Sequence, residues 1–316
     1  MMEYRNLGNA GMKVSVVSFG GWINYGEGKV AEDIAHQSVV KAYELGINFF
    51  DLADVYGRGR AEEQMGKTLA QFPRHTLVIS TKVYWPMSDD INDRGLSRKH
   101  IFESINKSLK RLGTSYVDIY FCHRPDPLTP MRETVKAMND LVEQGMVHYW
   151  GTSEWSGAQI LEAYALADRY GWALPQTEQP QYSLIVRERV ERDVMPVTEP
   201  RGVGLVVWSP LAMGMLTGKY DNGIPEDSRF NRESWAKERF ITEKNIERVK
   251  QMKAIADEVG VTRGQLALAW CLAHPNVSSV ITGATKPEQI EENVKAAAIK
   301  LTSEQKQRLD SLFTID

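Results

Sequence analysis

The sequence predicts a (β/α)8 barrel of the TIM type, and three observations carry that expectation. Short apolar runs alternate with amphipathic segments along nearly the whole chain. Eight such pairs can be traced. The runs are mostly continuous in apolar residues, as parallel strands covered on both faces should be. Eight strand–helix units in about 300 residues fit one closed barrel better than two doubly wound domains. Residues 1–316 are therefore read as a single domain.

The first run, "VSVVSFGG" (14–21), precedes "EDIAHQSVVKAYELG" (32–46). There Ile34, Val39, Val40, Ala42, Tyr43 and Leu45 form an apolar stripe, and Gly46 can end the helix. "NFFDLADVY" (48–56) is followed by "AEEQMGKTLAQF" (61–72), and "LVISTKV" (77–83) by "SRKHIFESINKSLKRLG" (97–113). Ser97 is a good N-cap and Gly113 a good terminus. The fourth and fifth units are "VDIYFCHR" (117–124) with "PMRETVKAMNDLVEQG" (130–145), and "VHYWGTSE" (147–154) with "GAQILEAYALADRYG" (157–171). A weaker sixth is "PQTEQPQYS" (175–183) with "RVERDVMPVTEPRG" (189–202). The seventh strand is "GLVVWSP" (204–210); the eighth unit is "VSSVITGA" (277–284) with "KPEQIEENVKAAA" (286–298).

Three pieces lie outside this scheme. "YRNLGNAGMKVS" reads as a hairpin around Gly8–Gly11 that could plug the barrel bottom. Before the eighth strand come a polar loop (217–235) and two extra helices, "EKNIERVKQMKAIADEVG" (243–260) and "TRGQLALAWCLAHP" (262–275). The second is nearly all apolar and is expected to be buried. "SEQKQRLDSLF" (303–313) reads as a C-terminal amphipathic helix.

Apolar residues make up 42% and charged residues 25%, with a net charge of −3, which places the chain among globular enzymes. Nothing basic enough for nucleic acid or a membrane surface is present. Cys122 and Cys271 lie far apart in apolar segments, which suits two buried thiols in the cytoplasm. Neither a signal peptide nor a membrane-spanning helix is expected.

Chemistry in such a barrel gathers at the C-terminal ends of the strands. The second strand ends in Asp51 with Tyr56 beyond it, the third in Thr81–Lys82, the fourth in His123. The fifth ends in Ser153–Glu154, the sixth carries Gln179, the seventh ends in Trp208–Ser209, and the eighth in Gly283–Thr285. A lysine buried at a strand end needs an anion, and Asp51 one strand away can supply it. An ammonium beside a tyrosine favours the phenolate and so is expected to lower its pKa. Together these groups read as a carbonyl site: Tyr56 the general acid, His123 the orienting group, Lys82 and Asp51 the tuners. Singly, each has an ordinary role: Asp51 a turn residue, Tyr56 packing, Lys82 an ion pair, His123 a core histidine. Their joint placement on successive strand ends is what points to catalysis. No metal-ligand spacing appears among the histidines.

This pattern resembles the aldo-keto reductase superfamily, with its Asp, Tyr, Lys, His tetrad, over essentially the whole chain. Within it the likeness is to the β subunits of voltage-gated potassium channels and their bacterial and plant relatives. It is carried by "GLSRKHI" (95–101), "RPDP" (124–127), "YWGTS" (149–153), "WSPLA" (208–212), "GKYDNGIP" (218–225), "LALAWCL" (266–272) and "GATKPEQIEEN" (283–293). Mammalian channel subunits have Asn where this chain has His123, so the chain keeps the full reductase tetrad.

The resemblance implies NADPH across the barrel mouth. Ser153 and Gln179 would hold the carboxamide, and Trp208 would stack under the nicotinamide. Ser209, Leu211 and Gly214 would line the pyrophosphate, with Thr217 and Lys219 closing over it. Gly283, Thr285, Lys286, Gln289, Glu292 and Asn293 would contact the adenosine end. Lys219, Arg229 and Lys286 are the candidate partners of a 2′-phosphate. Gly21 and Trp22 would border the ribose or substrate. Glu154 departs from the pattern, since relatives often carry Asn or Arg there. Candidate substrate-pocket residues are Trp22, Tyr56, Tyr84, Trp85, Trp155 and Trp208, which suits an apolar or aromatic aldehyde.

The implied function is NADPH-dependent reduction of an aldehyde or ketone. A second reading is an NADPH-binding accessory protein that docks on a membrane channel, although no long N-terminal inactivation segment precedes the first strand. A homotetramer is implied by the channel-subunit likeness, a monomer by the wider superfamily. Two decoys are set aside. "GEGKVA" (26–31) matches G-x-G-x-x-A but does not directly follow its strand. "YGEGK" (25–29) has a Tyr-x-x-x-Lys spacing that works only on a helix, which its two glycines oppose.

Overall fold

The structure, a computed structural model, describes residues 2–22, 30–226, 228–232 and 234–315. Both decoy segments fall largely outside these residues. The chain begins with an antiparallel hairpin, β1 (Tyr4–Asn6) and β2 (Lys13–Ser15). Eight parallel strands then close a barrel: β3 (Val17–Gly20), β4 (Phe49–Asp51), β5 (Val78–Val83), β6 (Val117–Cys122), β7 (Val147–Ser153), β8 (Thr177–Gln179), β9 (Gly204–Trp208) and β10 (Val277–Thr282), with β10 pairing back onto β3. Every strand corresponds to one of the eight apolar runs. The first run is split, however. Val14 and Ser15 belong to the hairpin, and the chain turns at Val16 before entering the barrel.

The period-2 alternation of strands decides what faces the barrel axis. Phe49, Val78, Ile119, Phe121, Val206 and Ile281 fill the interior, and Leu7, Ala10 and Val14 of the hairpin close it from below. Asp51 lies two residues beyond Phe49, and His123 two beyond Phe121, so both share the interior face one layer higher. The outward residues, such as Phe50, Ile79, Tyr120 and Trp150, pack under the helices.

The surrounding helices are α1 (Glu32–Glu44), α2 (Arg60–Leu69), α3 (Arg98–Leu112), α4 (Met131–Glu143) and α5 (Gly157–Tyr170). Ser97 caps α3, accepting the His100 N–H, and Gly113 ends it at φ 68°. After β8 the expected helix is broken into a π turn (Val190–Val194), the short α6 (Met195–Thr198) and a 3-10 turn (Glu199–Arg201). Pro196 and Pro200 each remove an N–H that a regular helix would need.

The insertion after β9 holds more structure than a polar loop. It contains α7 (Arg229–Arg232) and α8 (Ser234–Phe240), ordered around buried Tyr220, Phe230 and Phe240. The helices α9 (Glu243–Val259), α10 (Arg263–Leu272), α11 (Pro287–Val294) and α12 (Ser303–Leu312) complete the layer. As expected, α10 is buried, with Leu266 to Leu272 all inaccessible or nearly so. Among the described residues no helix is long and apolar enough to cross a membrane.

Candidate active site

The parallel register sets Asp51 beside Ser80 on β5 and Ser153 beside Gln179 on β8. Lys82 stands two residues beyond Ser80 on the same inward face. It is wholly inaccessible to solvent, and each of its three ammonium protons has an oxygen to meet. Its Nζ donates to Asp51 Oδ2 at 2.6 Å, to the Leu52 carbonyl at 2.6 Å and to Tyr56 Oη at 3.2 Å. The other Asp51 oxygen accepts from Ser80 Oγ at 2.7 Å and Gln179 Nε2 at 2.9 Å. The Asp51 carboxylate, set in an apolar strand, is thus fully satisfied, and the ion pair is almost wholly buried.

Tyr56 sits on a tight turn, "YGRG", in which Gly57, Arg58 and Gly59 all adopt positive φ. That turn swings its ring over the barrel mouth, 6.0 Å from the His123 ring and nearly perpendicular to it. Burial raises the Tyr56 pKa above its ordinary value; the Lys82 charge pulls the other way without prevailing. The expectation of a lowered pKa is therefore corrected: desolvation of the phenolate outweighs the ammonium. The Lys82 pKa is also raised; burial opposes the ammonium, but Asp51 and the Tyr56 oxygen prevail. At neutral pH the site holds a neutral phenol and a charged lysine. His123 is pushed well below its ordinary value, first by burial and then by Lys82 and Arg124, so its ring is neutral. Its Nδ1 is buried without a hydrogen-bond partner among the described residues.

These groups open onto a cavity of about 350 Å³. Of the residues singled out from the sequence, Trp22, Asp51, Tyr56, Trp85, His123, Ser153, Gln179, Trp208, Ser209 and Gly283 line it. A second cavity of about 300 Å³ lies alongside, bordered by Leu211, Thr217, Gln289, Glu292 and Asn293. The loop after β9 runs from the first cavity to the second. It carries Ser209, Ala212 and Met213 at positive φ, a concentration of backbone strain of the kind that functional loops store. Ser209 borders the first hollow and Leu211 the second, so one loop serves both.

The other predicted residues have these surroundings. Gly21 is buried, and a Cβ there would lie 2.6 Å from Leu52 Cδ2, so it serves close packing. Gly214 likewise leaves room for the Lys219 side chain, which would stand 2.8 Å from an added Cβ. Thr285 donates its N–H to Gln289 Oε1 at 2.7 Å, so these two residues close the turn at the start of α11. Lys286 is exposed at that helix's N-cap. The side chain of Arg229 lies outside the described residues. Two substrate-pocket expectations need correction. Trp155 is only 1% exposed and is packed in the outer core, because α5 and the segment after β8 cover it. Tyr84 stands edge-on against Trp85, at 5.2 Å between rings, and does not border the cavity.

Glu154, the departure in the pattern, adopts φ 60° and accepts hydrogen bonds from the Trp208 indole at 2.9 Å, the Gln181 N–H at 2.6 Å and Arg189 at 3.0 Å. Its charge is neutralised, and it fixes Trp208. Sequence reasoning also missed a buried network behind the tetrad. Glu62 on α2 accepts from Thr81 and from Arg111 of α3, and Asp54 accepts from Ser104 of α3. The signal was present, since Glu62 interrupts an apolar helix face at Ala61, Met65 and Leu69. Thr262, Gly264, Gln265 and Glu288, which border the second cavity, carried no such signal.

Residues 16–313 match the family model described as the aldo/keto reductase family. The chain is 49% identical over 303 residues to a probable voltage-gated potassium channel subunit beta of Arabidopsis thaliana, covering 94% of this chain and 92% of that protein. It is 48% identical over 300 residues to a protein of the same description from Oryza sativa subsp. japonica, covering 93% and 91%.

Proposed function

Because the chain belongs to the aldo/keto reductase family, we propose that it reduces an aldehyde or ketone to the alcohol with NADPH. Family membership supports oxidoreduction; the assignment of roles rests on the site's geometry. NADPH, when bound, supplies the hydride that reaches the carbonyl carbon. Tyr56 delivers the proton to the carbonyl oxygen. The single observation that carries this role is the direction of the Lys82–Tyr56 hydrogen bond. The ammonium donates to Tyr56 Oη at 3.2 Å, which leaves the phenolic proton free to point into the cavity. As that proton leaves, the nearby ammonium stabilises the developing phenolate. Asp51 keeps Lys82 in place and charged. The neutral His123 can donate an N–H to the same carbonyl oxygen and orient it.

Ser153, Gln179 and Trp208 are assigned to the nicotinamide end, Leu211 and Thr217 to the pyrophosphate, and Gln289, Glu292 and Asn293 to the adenosine end. Lys219 and Lys286 are assigned to a 2′-phosphate and would favour NADPH over NADH. The buried free thiols of Cys122 and Cys271 suit a cytoplasmic setting. Replacing Tyr56 with Phe removes the proton and leaves the ring. NADPH oxidation with an aldehyde panel should fall by at least about a thousandfold, while NADPH affinity measured by fluorescence stays within about threefold. Full turnover in that variant would refute the role of Tyr56.

The plant relatives, described as probable voltage-gated potassium channel β subunits, motivate a second reading, in which the protein is a homotetrameric cofactor-binding subunit docked on a membrane channel. The two readings are compatible. Copurification with a membrane protein tests the docking, and light scattering tests the tetramer.

A further inference from the structure

We propose that Arg124 is the anchor for a carboxylate on the substrate, so that the preferred substrates are aldehydes or ketones bearing that group. The inference rests on the reductase reading and specifies its substrate class. Arg124 directly follows His123 and lines the same cavity as Tyr56 and Trp85. Its guanidinium is held in place rather than waving in solvent. Nη1 donates to the His123 carbonyl at 2.5 Å, and the guanidinium carbon lies 5.5 Å from the centre of the Trp85 ring. A cation fixed by a carbonyl and an aromatic face keeps its remaining N–H groups for a planar anion.

The charge balance gives the same answer. Among the described residues, the other formal charge lining the cavity is Asp51, which Lys82 neutralises. Tyr56 and His123 are neutral. Glu154 is occupied by Arg189, and Asp126, two residues along, is consumed by Leu96, Leu128 and Thr129. Arg124 enters no ion pair among the described residues. Among the described residues of the pocket wall, Arg124 is therefore the one charge left uncompensated. A half-buried cation gains most from an anionic occupant.

The test compares 4-carboxybenzaldehyde with its methyl ester, which lacks the charge and carries one more methyl group. Wild type should favour the acid in kcat/KM by about tenfold or more. Arg124→Gln should erase most of that preference, chiefly through KM, and Arg124→Lys should restore part of it. An acid-to-ester ratio that is the same in wild type and Arg124→Gln would overturn the proposal. Calorimetric titration of benzoate in the presence of NADP+ reads the anion site without turnover. Binding should weaken at least about tenfold in Arg124→Gln, and equal affinity in both proteins would overturn the proposal too. If wild type reduced neither aldehyde, the reductase reading would fail by itself, and the benzoate titration would still decide the anion site.

Discussion

Lys82 is a charged side chain with no solvent contact, yet it holds its proton, because every donor it owns meets an oxygen. The residues were legible in the sequence; the balance between them was not. An ammonium next to a phenol implied a lowered tyrosine pKa, but the depth of the site reverses the direction. Asp54 was an even harder reading. It looks like a turn residue, but it is fully buried, and burial followed by the nearby Glu62 charge raises its pKa to about 7. The sign of the consequence is definite. A carboxyl that keeps its proton longer when folded stabilises the fold fully below its unfolded pKa, near 4. It loses that contribution as pH rises through about 7. The shift corresponds to roughly 4 kcal/mol as an upper bound. Asn at this position keeps an acceptor for Ser104 and cannot ionise. Urea midpoints of Asp54→Asn and wild type should therefore diverge between pH 5 and pH 8, the variant gaining on wild type as pH rises. Parallel curves would show that Asp54 does not titrate in this window.

Element boundaries followed local chemistry where it was strong. Capping boxes hold the starts of α5, α10 and α12, and their residues are visible as "SGAQ", "TRGQ" and "TSEQ". Where local signals conflicted, the outcome depended on neighbours: α6 broke at its prolines, and α7 and α8 formed because their aromatic residues found a common pocket. The N-terminal hairpin depends on one close approach. Gly8 has φ 55°, and an added Cβ would stand 2.2 Å from the Gly202 carbonyl and 2.5 Å from the Gly204 nitrogen. Gly8→Ala should lift the hairpin from the barrel floor and expose Leu7 and Val14, lowering stability by about 3 kcal/mol or more in urea unfolding. A change below about 1 kcal/mol would mean that the plug is dispensable.

For the whole molecule, closure of the sheet brings residues from position 20 to position 283 around one cavity. A ligand spanning that mouth binds only the closed barrel, so it stabilises by mass action. NADPH at about one hundred times its Kd should add about 2.7 kcal/mol, a rise of about 4 °C in Tm for a chain of this size. If Lys219 and Lys286 read the 2′-phosphate, NADH at the same concentration should give a smaller rise. Equal shifts would remove that assignment.

Periodicity, turn residues and caps are local properties, and by themselves they determined the eight units, the closed-barrel class and the strand ends where polar residues collect. The tetrad was legible because strand order places Asp51, Lys82 and His123 at neighbouring ends whatever the details of packing. Only the tertiary structure decided what depends on three-dimensional surroundings: that Trp155 is buried and Trp85 is not, that Glu154 binds the Trp208 indole, and that Arg124 meets no counter-ion among the described residues. Burial and charge balance are sums over groups distant in sequence, and they come into being only when the barrel closes.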